Sequence, residues 1–306
     1  MTQAEDKPRS RIQICEVGPR DGLQNETTMV STEEKLTLIA RAIDAGIRRL
    51  EVASFVHPKR VPQMADAEAV VYGVEPRSDV CYIGLVLNMR GYERARETSV
   101  NEIGTVVCAT DTFAQKNQGQ ATWRESMGVA ADIIRLATRE GRSAQATIAL
   151  SCGCPFEGEV DPVRVVEIAK TVADAGAVDI AVADTIGVGV PNQVRDLFDR
   201  VHNAVGDLPL RAHFHNTRNT GIANAWAAVE SGVTTIDASI GGLGGCPFAP
   251  RATGNIATED LVYMLDRAGV ETGTDLAKLI ELAHWAGSLL GQPAASMVSK
   301  AGGFPS

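Results

Sequence analysis

Residues 211–239 read Arg211-Ala-His-Phe-His-Asn-Thr-Arg-Asn-Thr-Gly-Ile-Ala-Asn-Ala-Trp-Ala-Ala-Val-Glu-Ser-Gly-Val-Thr-Thr-Ile-Asp-Ala-Ser239. A short strand-like run opens the stretch, an alanine-rich amphipathic segment follows, Gly232 closes it, and a second short run begins. Glycine just past a helix end takes the left-handed conformation that stops the helix, so the pattern is strand, helix, strand. The same unit recurs along the chain. Strands are expected over 12–17, 49–53, 80–87, 102–109, 146–150, 179–183, 211–214 and 235–239. Helices are expected between them over 32–45, 63–72, 89–97, 123–139, 162–175, 191–205, 220–231 and 258–266.

Strands that alternate with helices at this spacing require right-handed crossovers and a parallel sheet. The strands read as apolar runs, which suits a sheet covered on both faces. Eight such units predict a (β/α)8 TIM barrel over about 12–270, with a C-terminal helical extension over about 271–306 that includes a helix at 276–290. A doubly wound open sheet would want a glycine fingerprint after its first strand, and Gly18-Pro-Arg-Asp-Gly22 is not one. Ser31-Thr-Glu-Glu34 and Asp161-Pro162 are helix starts, while Gly46 and Gly176 are stops. No linker-like shift in composition interrupts the alternation, so residues 1–306 are expected to form a single catalytic domain.

Composition narrows the function. The chain has 306 residues, 22% charged and 44% hydrophobic, which is ordinary globular composition. A net charge of -9 without a basic block argues against a nucleic-acid partner. No apolar run reaches the length of a membrane span, and the N-terminal residues resemble neither a secretory signal nor a transit peptide, so the expected compartment is the cytoplasm. The six cysteines do not form a disulfide framework. Cys15, Cys81 and Cys108 lie in strand-like runs, and Cys152-Gly-Cys154 lacks metal or redox spacing, so all five read as structural.

In a barrel of this kind the chemistry sits at the C-terminal ends of the strands and on the loops that follow. Those positions hold Glu16, Arg20 and Asp21 after the first strand, Glu51 on the second, Asp184 after the sixth, and His213 and His215 on the seventh. The loop after the eighth strand, 241–260, carries five glycines within fourteen residues, then Asn255, with Cys246 at its centre. Such a loop can approach a ligand closely or close over it. His213 and His215 stand two residues apart on one strand, so both imidazoles face one side. With Asp21 and the amide oxygen of Asn255 they would bind a divalent cation. The mixed set suits Mg2+ or Mn2+, with Zn2+ as the remaining option. Arg20, beside a ligand, is either a salt-bridge partner of Glu51 or Asp184, or a cation poised for a developing oxyanion. His57, His202 and His284 are read as surface residues.

Four segments in order, Val17-Gly-Pro-Arg-Asp-Gly-Leu-Gln-Asn-Glu26, Glu51-Val-Ala-Ser-Phe-Val-His-Pro-Lys59, Asp184-Thr-Ile-Gly187 and 241–265, resemble 3-hydroxy-3-methylglutaryl-CoA lyase. The resemblance runs from about 12 to 290. It implies a barrel that cleaves this thioester to acetyl-CoA and acetoacetate. It implies Asp21, His213, His215 and Asn255 as ligands, Arg20 at the thioester oxygen and Cys246 on a mobile loop. Glu51, Asp184, Gln24 and Glu259 would support the site. An acyl-CoA substrate and a homo-oligomer, dimer or tetramer, follow as expected partners. For the hydroxyl proton, both His213 and Asp21 stand as candidates.

The chain also departs from the family pattern. After the seventh strand the family commonly reads His-x-His-Asp-Thr-Tyr-Gly, where this chain has His213-Phe-His-Asn-Thr-Arg-Asn219. After the fourth strand, Thr110-Asp111 and Asn117-Gln-Gly119 replace a Ser-Glu pair and a later Asn-x-Asn. Asn117, Asn216 and Arg218 are therefore expected to contact the acyl group or CoA, with Asn216 and Arg218 lining the acyl pocket and shifting its preference toward a relative of hydroxymethylglutaryl-CoA. The alternative activity is a Claisen-type acyltransferase of the isopropylmalate or homocitrate synthase kind, which shares barrel, metal and His-x-His but generally adds a long C-terminal domain.

Overall fold

The computed structural model describes residues 11–245 and 253–305. Eight parallel strands close on themselves in chain order. They are β1 (Gln13–Glu16), β2 (Arg49–Ser54), β3 (Cys81–Val86), β4 (Glu102–Cys108), β5 (Ser143–Ala149), β6 (Ile180–Asp184), β7 (Leu210–Phe214) and β8 (Thr235–Ala238), with β8 pairing back onto β1. Around them lie α1 (Thr32–Asp44), α2 (Ala67–Gly73), α3 (Met89–Arg96), α4 (Asp111–Gln118), α5 (Trp123–Arg139), α6 (Pro162–Asp174), α7 (Pro191–Val205), α8 (Gly221–Glu230) and α9 (Thr258–Arg267). The chain then adds α10 (Leu276–Leu290) and α11 (Val298–Ala301). The fold is a TIM barrel with a C-terminal helix.

The strands are buried along both faces, yet the two faces differ in chemistry. Ile14, Leu50, Val52, Ile103, Val107, Ile148, Ile180, Val182, Ala212 and Ile236 pack outward against the helices in one continuous apolar core. Their neighbours one residue away, Arg49, Glu51, Glu102, Gln145, Asp179, Arg211, His213, Thr235 and Asp237, are buried polar or charged groups. The apolar runs thus conceal an alternation of period two, with the polar set turned into the barrel. Only Cys15, Val17 and Ile83 form a small separate apolar cluster among the described residues.

Two local features aim the site. The β2–β3 register slips between Glu51 and Ala53, and such a bulge re-directs the side chains beside it. After β1, residues Gly18–Gly22 form one π-helical turn in which the amides of Arg20, Asp21 and Gly22 all point at the Val17 carbonyl, at 3.2, 2.7 and 3.1 Å. Gly22 is required here, because a Cβ would lie 2.7 Å from Ser239 Oγ and 3.0 Å from Leu243 Cβ.

Glu16, 1% exposed, ties this turn to the loop after β8. Its Oε1 accepts from the Gly18 and Ile240 amides at 2.8 and 2.9 Å, and its Oε2 accepts from Thr258 Oγ1 at 2.6 Å. Burial outweighs these donors and pushes the carboxyl up to about 7. An acid raised on folding stabilises fully below its unfolded value of 4.5 and loses that contribution as pH climbs through about 7. Glu16→Gln, whose amide can still serve both sides, should therefore flatten the decline in Tm across that interval. Glu16→Leu strands two amides and a hydroxyl, at about 1–3 kcal/mol for each group left unpaired. Thermal melts at several pH values check both outcomes.

Candidate active site

Asp21, His213 and His215 come together although they lie nearly two hundred residues apart in sequence; their donor atoms all fall within 4.8 Å of one another. The π-helical turn delivers Asp21, β7 delivers His213, and His215 follows directly, bridged to Asn255 across an isolated antiparallel pair. His213 Nδ1 lies 3.0 Å from Asp237 Oδ2, and His215 Nδ1 lies 3.2 Å from the Thr253 carbonyl. An ionised carboxylate and a carbonyl only accept, so both rings carry their proton on Nδ1 and keep the Nε2 lone pair for another partner. His215 Nε2 sits 4.0 Å from Asp21 Oδ2.

The charges at Asp21 and His215 favour the same reading. Burial works against ionised Asp21, but Arg20 and the two imidazoles overcome it and bring the carboxyl down to about 2. Burial, helped by His213, lowers His215 to about 4. Burial also acts to lower His213, where the hydrogen bond and charge of Asp237 reverse the balance and raise it. Two imidazole nitrogens and one carboxylate in a small pocket form a donor set that fits Mg2+, Mn2+ or Zn2+.

Around this cluster the expected residues take different places. Arg20 is pinned by two carboxylates, Nε to Glu51 Oε2 at 2.6 Å and Nη1 to Asp21 Oδ1 at 2.7 Å. Burial pushes Glu51 above its ordinary range, although Arg20 pulls it back. Arg20, Asp21, Gln24, Glu51, Asn117, His213 and His215 all line a cavity of about 130 Å3 with Leu85, Val106, Phe113 and Thr147 as its less polar wall. Gln24, Asn25, Leu87 and Asn117 also line a wider cavity of about 1120 Å3 that includes His57, Arg60, Arg90 and Lys116. His57, expected merely on the surface, is exposed but belongs to that wider cavity. Gln24 Oε1 is buried with no partner among the described residues.

Other expected residues are turned elsewhere. Asn216 Oδ1 accepts from the Gly221 amide at 3.0 Å at the start of α8. Arg218 Nη1 donates to the carbonyls of Ile186 and Gly187 at 3.2 and 2.9 Å. Neither lines the small cavity. Asn219, φ +58°, turns the chain between them and α8. Both Asp184 oxygens serve that neighbouring loop, accepting from the Val188 and Gly189 amides at 3.0 and 2.8 Å. Glu259 Oε2 accepts from the Gly241 amide at 3.1 Å, beneath the glycine loop and away from the small cavity. Asn255 directs its amide nitrogen, not its oxygen, to Asp21 Oδ2 at 2.8 Å. Cys246 lies outside the described residues.

Two residues escaped the sequence reading, Asp237 on β8 and Arg211 on β7. Arg211 Nη1 clamps both Asp237 oxygens at 2.9 and 2.8 Å. The signal was present: Arg211, His213 and His215 share one face of a strand, and an inward arginine demands inward acids on adjacent strands.

A family model described as HMGL-like matches residues 11–285. The (R)-citramalyl-CoA lyase of Chloroflexus aurantiacus is 40% identical over 301 residues, covering 95% of this chain and 95% of that protein. The mitochondrial hydroxymethylglutaryl-CoA lyase of Mus musculus is 39% identical over 291 residues, covering 95% of this chain and 89% of that protein. A solved structure of an HMG-CoA lyase from Acinetobacter baumannii, in complex with coenzyme A and 3-methylmalate, superposes with a TM-score of 0.92 at 39% identity, covering 96% of each chain.

Removing any of the three clustered side chains should cost at least about 10-fold in divalent-metal affinity. Elemental analysis of Asp21→Ala, His213→Ala and His215→Ala checks this. Full metal content in the His215 variant would take that residue out of the ligand set.

Proposed function

The chain belongs to the HMGL-like family and is a carbon–carbon lyase, and on that premise we propose that it performs a divalent-metal-dependent retro-Claisen cleavage of 3-hydroxy-3-methylglutaryl-CoA to acetyl-CoA and acetoacetate. The observation that carries the reading is a pair of neighbouring cavities with Gln24, Asn25, Leu87 and Asn117 in both walls: a small one around Arg20, Glu51 and the metal-type cluster, and a large one set with Arg60, Arg90 and Lys116. The first suits a short branched acyl unit. The second suits a long phosphorylated carrier such as coenzyme A, which the Acinetobacter relative carries in its complex.

A divalent cation, Mg2+ or Mn2+, held by Asp21, His213 and His215 with Asn255 beside them, would supply a positive charge that lowers the cost of ionising the substrate hydroxyl. Asp21, held down to about 2 by Arg20 against the opposing effect of burial, is a poor base. Glu51, raised by burial and lining the cavity, is better matched to take the hydroxyl proton. As that proton leaves, the C2–C3 bond breaks, the oxygen on C3 becomes a ketone, and its electron pair moves to the thioester as an enolate. Arg20 faces the enolate oxygen, and its guanidinium is already immobilised by Glu51 and Asp21, so little reorganisation opposes the charge it meets. Cys246 delivers a proton to C2 of the enolate, and the proton on Glu51 returns to the thiolate through water. Gln24 Oε1, with no partner among the described residues, accepts a hydrogen bond from the acyl or pantetheine portion.

Citramalyl-CoA is the second reading, supported by the Chloroflexus relative of that name at 40% identity. It presents the same tertiary hydroxyl and thioester with its carboxylate one methylene closer, and the same residues would cleave it to acetyl-CoA and pyruvate.

Purified protein with Mn2+ and each thioester, followed by acetyl-CoA release, decides between the two. Hydroxymethylglutaryl-CoA should give the higher kcat/KM, and a citramalyl-CoA preference would move the assignment to the second reading. Arg20→Gln should lower kcat by about 10²–10³ while KM changes little, because the enolate charge exists only along the reaction path. Small equal effects on both constants would reduce Arg20 to an ion-pair partner. Cys246→Ser should retain Mn2+ binding and lose turnover; a fully active variant would remove the thiol from the proton path.

A further inference from the structure

Asp237 is 2% exposed and faces His213 directly across the β7–β8 register. One of its oxygens serves Arg211 alone, while the other is shared between Arg211 Nη1 at 2.8 Å and His213 Nδ1 at 3.0 Å. Arg211, also 2% exposed, is itself held from further sides: Asp179 Oδ1 at 3.4 Å, Thr147 Oγ1 at 3.3 Å, and the side-chain oxygen of Gln145. An arginine restrained by residues from β5, β6 and β8 cannot swing, so neither can the carboxylate it clamps. The imidazole bonded to that carboxylate inherits both a fixed ring plane and a fixed proton position.

We propose that Asp237, braced by Arg211, is the positioning residue for His213: it keeps the ring proton on Nδ1, reserves Nε2 for the cluster with Asp21 and His215, and thereby sets the metal affinity of the site. The inference rests on the metal-dependent reading above. A neutral asparagine at 237 makes the logic explicit. Arg211 only donates, so it would claim the amide oxygen and leave the amide N–H facing His213. That geometry demands a lone pair on Nδ1 and moves the ring proton to Nε2, the atom meant for the cation. Partners of this kind behind a ligating histidine typically change metal affinity by about 10–100-fold.

The competing role is structural, with Asp237 serving only to neutralise a buried arginine. Three variants separate the two in the full chain: Asp237→Asn, Arg211→Met, and the double Arg211→Met with Asp237→Leu. Mn2+ dissociation constants come from the electron paramagnetic resonance of free Mn2+ without substrate, and Tm from melts in chelator. The expected result is Mn2+ affinity about 10–100-fold weaker for Asp237→Asn and for the double variant, and a smaller loss for Arg211→Met, which keeps the carboxylate on His213 but removes its brace. The double variant should recover Tm, since no buried charge is stranded, without recovering affinity. If Asp237→Asn does not fold, the double variant carries the comparison. Affinity that tracks Tm across the set, or a double variant that binds Mn2+ like the parent, overturns the proposal.

The chain has five histidines, so long-range nitrogen–proton spectra of labelled, metal-free protein can be assigned by losing the His213 signals in His213→Gln. The parent should show the proton on Nδ1 and Asp237→Asn on Nε2; the same tautomer in both also overturns the proposal. Should the parent bind no Mn2+, the metal-dependent reading fails, and the tautomer comparison still decides the role of Asp237.

Discussion

A buried arginine has to be neutralised, and in this barrel that requirement organises the interior. Arg211 meets Asp237 and Asp179, and Asp179 meets Arg49, which in turn meets Glu102. The chain of ion pairs crosses from β2 and β4 through β6 to β7 and β8. Leaving one member alone would strand a buried charge, at about 3–5 kcal/mol. Replacing the set with branched apolar residues would fill the same volume, as most barrels of this class do. Here the interior charges extend to the catalytic end, so the packing of the barrel and the electrostatics of the site are one problem. Asp237 belongs to both.

The loop after β8 is fixed at each end by the same economy of contacts. Its near end is held by Glu16 at Ile240 and by Glu259 at Gly241, and Asn25 Nδ2 donates to the Gly245 carbonyl at 2.9 Å. Its far end returns through paired bridges, Asn255 with His215 and Ala257 with Ser239. Gly244, φ +121°, passes so close to Asn255 that a Cβ would lie 2.7 Å from its amide nitrogen. Backbone here passes against Asn255 and the main chain of Asp21 and Gly22, which is why glycine stands at 244. Glu259 and Asp184, expected to support the site, each accept backbone amides of the loops that flank it.

The barrel was legible because its signals are local. The helices over 123–139, 191–205 and 276–290 agree to the residue. Each has clear punctuation: Thr122 and Asp275 cap side chain to backbone, Pro191 opens its helix, and Gly206 and Gly291 close theirs. α4 went unseen since its Asp-Thr-Phe-Ala-Gln-Lys-Asn-Gln stretch lacks an apolar stripe. The helix expected over 63–72 begins only at Ala67, after a 3-10 turn at Pro62–Met64. Asp21 and the two histidines were legible because ligand types at strand ends stand out from their surroundings. Arg211 and Asp237 were not, because a strand judged by its apolar residues hides the charged ones between them. Nothing in the sequence marks Asn216 as the acceptor for the Gly221 amide or Arg218 as the donor to the Ile186 and Gly187 carbonyls, because those partners are set by where neighbouring loops run.

The bulge in β2 carries a consequence for how this gene can drift. Only one residue, Val52, separates the register of Glu51 with Ile83 from that of Ala53 with Gly84. A three-nucleotide deletion at that codon would restore an even ladder and a smoother strand. Every pair would stay on its own side, but the straightened strand would lose the local bend beside Glu51 that the bulge supplies. The deletion would keep the barrel and lose the aim of Glu51, so drift at this codon is held by the Glu51–Arg20 contact and not by the packing of the strands.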